Sequence, residues 1–376
     1  MLRYHGYSLK DHCLLRLTDE EHQVYTSTNI NPDVKANYID RHECVGSIEG
    51  WLIMVDSYVL CPEGFVDLWS NFYYHDMKTY TTINFFVNPI SGARARVMLP
   101  SQSTILCQYS ILPQLLRKVV ASSVPINTNS SSSPCIVASP CWGGKLAFYR
   151  PTDKTWTLIN GKEARGRTFL DIEIIDGKLY DATCRAFEFL MVFDIHDSPS
   201  YKVEHLVMLH PRPVRAMHQH DTRDGFMCIY NAELTYLAKD PTSNELLDPI
   251  TPYSISDESF VIPPLVEGFR VFKLDLCDEG AGWLEVSDLV DKILFLTKVS
   301  NKLTFVGSHN SARYNNIARN CIYFSFDYLC LRTPSLACDF GTFFLGNKSI
   351  TRFVLPEDHS RAGLHTRTIQ FPPNLW

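Results

Sequence analysis

The sequence predicts an all-β fold, a single β-propeller of six or seven blades built from kelch-like hairpin repeats. Three observations carry this. Apolar or alternating runs of strand length recur along all 376 residues with almost no helical periodicity. Phe (22), Tyr (18) and Trp (6) are abundant, and these are strand formers that bury large areas. A polar turn also returns between such runs, at a mean spacing of about 52 residues from 88 to 346, close to the roughly 40–50 residues of a blade.

The strand runs, in order, are 50–56 (GWLIMVD), 85–87, 145–149, 177–180, 190–193, 234–238, 269–274 and 321–324. Polar, Gly or Pro residues bound most of them. The recurring unit reads as strand, polar turn, strand. Asn88-Pro89, Arg150-Pro151, Asp194, Asp240-Pro241, Asp275 and Gly346-Asn347 supply the turns. Proline presets φ there, and Asx side chains bond back to the backbone. Gly50, Gly144 and Gly177 each begin a Gly-x-Leu run, and small residues at a strand start permit the close approach that crowded inner strands need. Residues 111–120 (ILPQLLRKVV) are the best helix candidate, while 289–296 (LVDKILFL) fit either helix or strand. The Ser-rich stretch 121–134 reads as a flexible loop. Residues 1–14 are expected to be an N-terminal extension and 15–376 one propeller. An irregular β-sandwich with small satellite domains is the competing architecture.

Composition excludes several partners. Lys+Arg (35) against Asp+Glu (41) leaves a net charge of −6, which argues against nucleic acid or an anionic membrane as partner. No stretch approaches the 18–20 apolar residues of a membrane span, and the first residues lack a signal-peptide core. The 12 cysteines include no C-x-x-C pair and read as small buried hydrophobes, so a cytoplasmic or nuclear location is expected. The sequons at Asn129 and Asn347 then carry no sugar.

No nucleotide-binding loop, hydrolase elbow, zincin helix, kinase signature or EF-hand is present. His218 and His220 would share a strand face, as a metal pair requires, but with His210 they sit in a polar connection with no third ligand placed by spacing. Asp171, Glu173, Asp176 and Asp181 bracket one strand and are expected on its solvated face rather than in acid–base work. Cys321 lies in an apolar run, which favours an inert thiol. Trp51, Trp142, Trp156 and Trp283 are expected to pack between blades. No catalytic, cofactor or metal residue is assigned, and no cofactor is expected.

Several blocks, in order, resemble one plant family. Glu43-Cys44-Val45-Gly46-Ser47 followed by Gly50-Trp51-Leu52 and Asp56 resembles the opening of the KIB-type β-propeller, a domain found in plant F-box proteins. FFVNPISGAR (85–94), PCIVASP (134–140), KLAFYRPTDKTW (145–156), Asp171, Asp176 to Tyr180, Phe269 with Trp283 and Leu289, Asn320 to Phe324 and the closing Pro-Pro-x-x-Trp follow in family order. The resemblance spans about Leu15 to Trp376. It implies a non-catalytic domain that presents a protein target to an SCF-type ubiquitin ligase. Residues 1–42 lack the helices of an F-box, so a Skp1-like adaptor is expected as partner only if an F-box precedes Met1. The alternatives are an enzyme with a site in the central channel, which would need acids or histidines converging on the axis, and a duplicate without activity.

Overall fold

The computed structural model describes residues 2–5, 13–16, 23–26, 43–49, 51–59, 80–87, 94–95, 118–123, 135–141, 145–150, 153, 155–159, 168–184, 188–196, 201–208, 234–251, 253–254, 265–277, 280–297, 300–305, 318–328, 337–352 and 366–369. Among the described residues all regular structure is strand and turn.

Strands β1 (Leu2–His5), β2 (Cys13–Arg16) and β3 (Gln23–Thr26) open the first sheet. The second holds β4 (Glu43–Ile48), β5 (Trp51–Val59), β6 (Tyr80–Val87) and β7 (Arg94–Ala95). The third holds β8 (Val120–Ala121), β9 (Val137–Cys141), β10 (Lys145–Tyr149) and β11 (Thr157–Ile159). The fourth is a meander of β12 (Thr168–Ile175), β13 (Lys178–Cys184), β14 (Glu188–Asp194) and β15 (Lys202–Met208). In the fifth, β16 (Leu234–Thr235) and β17 (Ala238–Lys239) both pair with β18 (Leu246–Thr251). A small two-stranded pair, β19 (Tyr253–Ser254) with β20 (Leu265–Val266), precedes its outer strands β21 (Arg270–Cys277) and β22 (Gly280–Val286). The sixth runs β24-β23-β25-β26-β27 in space: β23 (Lys292–Thr297), β24 (Asn301–Phe305), β25 (Cys321–Tyr328), β26 (Ala337–Phe344) and β27 (Ser349–Arg352). Last, β28 (Thr366–Ile369) returns to the first sheet and pairs antiparallel with β1, Leu2 opposite Ile369 and His5 opposite Thr366.

That return closes a ring. Innermost strands of successive sheets touch one another: β4 meets β8, β8 meets β12, β12 meets β16 and β17, and β17 meets β24. β28 then touches both β25 and β4. Closure of this kind hides the sheet edges that would otherwise template association.

Sheets stack face on face, which explains the near-continuous apolar runs. In β10, Ala147 and Tyr149 pack toward the second sheet with Ile53, Phe86 and Trp156, while Leu146 and Phe148 pack toward Ile172, Ile174 and Phe193 of the fourth. Tyr180, Ala182 and Val192 of the fourth sheet meet Leu237, Leu246 and Leu274 of the fifth. Val271 and Phe269 then meet Leu294, Ile322, Phe324 and Phe343 of the sixth. A strand with a two-residue side-chain period and a core on each face must be apolar at consecutive positions.

Several expectations change. Val120, the end of the expected helix 111–120, is in strand β8, and residues 111–117 lie outside the described residues. The ambiguous run 289–296 is strand over its second part: Leu294 and Leu296 face one core and Ile293 and Phe295 the other. Asp275 sits mid-strand opposite Gly282 rather than in a turn. Gly177 does permit a close approach, since a Cβ there would lie 2.8 Å from His196 Cδ2, but it does so in a turn rather than on an inner strand. With Asp176 (φ 50°) and its own φ of 75° it makes the two-residue turn joining β12 to β13, which needs positive φ at both positions. Close inner approach falls instead at Gly46, where a Cβ would lie 2.1 Å from the Val119 carbonyl oxygen. The expected extension 1–14 contains β1 and the start of β2.

The Asx turns behave as their chemistry requires. Asp194 accepts from His196 N–H at 3.0 Å, and Asn347 accepts from Ser349 N–H at 3.1 Å. Asp240 accepts from Thr242 N–H at 2.9 Å and from the Lys292 ammonium of the sixth sheet. The Arg150 guanidinium donates to the Ile195 carbonyl at 2.7 Å, tying the third sheet to the fourth. Asn88, Gly50, Gly144 and most of loop 121–134 (124–134) lie outside the described residues.

Candidate functional site on the ring axis

The inner strands surround an axis, and one carboxylate holds four sheets together there. Asp171 on β12 is 6% exposed. Its Oδ1 accepts from the Lys118 ammonium at 2.5 Å and from Ile172 N–H at 2.8 Å. Its Oδ2 accepts from Leu237 N–H at 2.7 Å and from Asn301 Nδ2 at 2.5 Å. Lys118 precedes β8, Leu237 lies between β16 and β17, and Asn301 opens β24. The acid therefore ties the third, fourth, fifth and sixth sheets. A buried charge is tolerated when its lone pairs are filled in this way. Ser47 of the second sheet joins the same level through a 2.6 Å hydroxyl–hydroxyl bond to Ser300.

Beside this node lies a cavity of about 170 Å³. Glu173, Lys239, Lys302, Lys118, Glu49 and Pro241 are among the residues that line it. Side chains at i and i+2 share a strand face, so Glu173 stands on the Asp171 side of β12, about 7 Å further along. Its remaining exposure opens onto the cavity. Burial pushes the Glu173 carboxyl up to about 7, against the opposing pull of Lys118, Lys239 and a bond from Ile174 N–H. Burial also lowers the Lys302 ammonium below its usual range, with Glu49 and Glu173 pulling the other way. The arrangement can hold polar groups and exchange a proton near neutrality.

Expected sites fare differently one by one. The solvated-face reading fails for Asp171 and Asp181, which are buried, and holds for Asp176, which is exposed and accepts from Asn244 Nδ2 at 3.1 Å. For Asp171 the pattern missed the inward turn because β12 is the first strand of its sheet and presents an edge to the axis. Cys321 and Cys135 are buried thiols pushed up to about 12 and about 11 by desolvation, as inert cysteines should be. Trp156 is buried, Trp51 packs on the core between second and third sheets, and Trp283 packs on that between fourth and fifth. Trp142, His210, His218 and His220 lie outside the described residues. Among the described residues no group of three or more His, Cys, Asp or Glu side chains could hold a metal ion. Among the described residues no helix is long and apolar enough to cross a membrane. Lys118, Lys239, Lys302, Ser300 and Asn301 were not legible as site residues. A lysine placed against a Val-Val strand start was the only available signal.

A closed ring of face-packed four- and five-stranded sheets around an axis is a β-propeller. The chain belongs to the KIB1-4 beta-propeller family, whose profile matches residues 9–353. No curated protein matches it. Among solved structures it is similar to the N-terminal domain of Nup159, at 9% identity and a TM-score of 0.31, covering 76% of this chain and 63% of that one. A second similarity is to an S. cerevisiae assembly of Dbp5 bound to Nup159, Gle1, IP6 and ADP, at 10% identity, a TM-score of 0.29 and the same coverages. A third is to the WD40 domain of SCAP from fission yeast, at 9% identity and a TM-score of 0.26, covering 92% of this chain and 73% of that one.

Proposed function

We propose that this propeller is a protein-recognition module of the kind that presents targets to SCF-type ubiquitin ligases, and that it is not itself an enzyme. One observation carries the reading beyond family membership: the third, fourth and fifth sheets each spend both faces on inter-sheet cores, so turns, loops and outer edges are what they leave for a partner. A standard interface of about 1,600 Å² fits on one such rim. The partner is a protein target, and a Skp1-like adaptor joins only through an F-box preceding the propeller. The site of action is cytoplasm or nucleus. The test is affinity capture from plant extract with quantification of ubiquitinated partners, followed by reconstitution of each pair from purified proteins. A saturable binary complex whose target is stabilised in plants lacking this protein is the expected result. Failure of every captured protein to bind directly overturns the reading.

A second reading, catalysis on the axis, is favoured by a single observation: a carboxyl near pKa 7 beside lysines. Turnover of ester or phosphoester substrates that Glu173→Gln abolishes would establish it. The same low rate in both proteins would dismiss it.

A further inference from the structure

The axial cavity pairs its charges unevenly. Lys118 is neutralised by Asp171. Glu49 stands in an exposed turn at φ 42°, from where it pulls on Lys302 with a charge that solvent partly screens. What remains inside is Glu173 facing Lys239 and Lys302. Among the described residues neither of those two ammoniums donates a hydrogen bond to protein, although Lys302 lies deep enough to lose affinity for its proton. An ammonium withdrawn from bulk water without an acceptor is costly, and a ligand oxygen would supply one.

We propose that the cavity binds a small anion bearing carboxylate or phosphate oxygens, held between the Lys239 and Lys302 ammoniums. The Ser47 and Ser300 hydroxyls also line the cavity, while Asn301, its amide spent on Asp171 and the Leu237 carbonyl, fixes the wall behind them. At about 170 Å³ the space suits a molecule of several heavy atoms rather than a lone halide. Glu173 tunes the site: ionised, it competes with the ligand for the two lysines, and protonated it does not. Binding consolidates the ring where its inner strands converge, so the anion is a structural ligand that stabilises whichever face meets the protein target.

The experiment is isothermal titration of the full chain with orthophosphate and, separately, with succinate, in chloride buffer of matched ionic strength. Saturable binding of one of them identifies the source of the oxygens. Lys302→Met and Lys239→Met are each expected to weaken it at least about tenfold, or 1.4 kcal/mol. Glu173→Gln is expected to tighten it several-fold at pH 8. Thermal melts of all three variants show that each is folded. Absence of saturable binding by both anions overturns the proposal, as does unchanged affinity in the two lysine variants.

Discussion

At the scale of single residues, Asp171 decides how the centre of the ring is held. Asp171→Ala leaves the buried Lys118 ammonium without its partner and the Leu237 N–H without its acceptor. Breaking such a pair costs about 3–5 kcal/mol, whereas Asp171→Asn keeps a carbonyl acceptor and should cost less. Urea titration of both variants checks the order. Glu173 makes the opposite contribution. Its folded-state pKa of about 7 lies above the roughly 4.3 of an unfolded glutamate, so the folded chain holds the extra proton between those values. Stability therefore falls as pH rises from about 4 to about 7, and the penalty stays above that. Glu173→Gln should raise Tm at pH 8 and flatten this slope, which calorimetry across pH reads directly. Asp240 runs the other way. Burial opposes its ionisation, but bonds from Lys292 and Thr242 outweigh that and hold its carboxyl at about 2. The stability it contributes is lost as pH falls from about 4 through 2.

At the scale of elements, the tightest constraint is the approach of β4 to the segment leading into β8. Val119 N–H donates to the Val45 carbonyl at 2.8 Å, a backbone bond between two sheets, and Gly46 leaves room for it. Gly46→Ala places a Cβ 2.1 Å from the Val119 oxygen, so the strands must separate. A loss of about 1–3 kcal/mol is expected, read as a lower urea midpoint, with Gly282→Ala as an open-space control. The strands themselves were legible because two cores per sheet force consecutive apolar residues, as in 145–149 and 190–193. The turns at Asp194, Asp240 and Asn347 were legible because Asx chemistry is local. The axial site was not. Lys118, Asn301 and Asp171 are separated by up to 183 residues of sequence, and no local pattern says which strand of a sheet will be innermost. Asp275 misled for a related reason: an acid in an alternating run looks the same at a strand's solvent side as in a turn.

At the scale of the whole molecule, everything depends on closure. Stacked sheets bury both faces only if the first and last of the series meet, and here the C-terminal strand β28 completes the sheet begun by β1. The charged node and the cavity exist because inner strands from successive sheets converge on one axis. The most direct test of this account is a cross-link at the closure. Arg3 and Thr368 are direct partners in the antiparallel pair of β1 with β28, a separation a disulfide can span. In Arg3→Cys/Thr368→Cys, an intramolecular disulfide between residues 3 and 368 is expected on mild oxidation, found by peptide mass spectrometry, with a higher Tm than the reduced form. Failure of that bond to form in the folded monomer, or its appearance only between two chains, would contradict a ring closed by these strands.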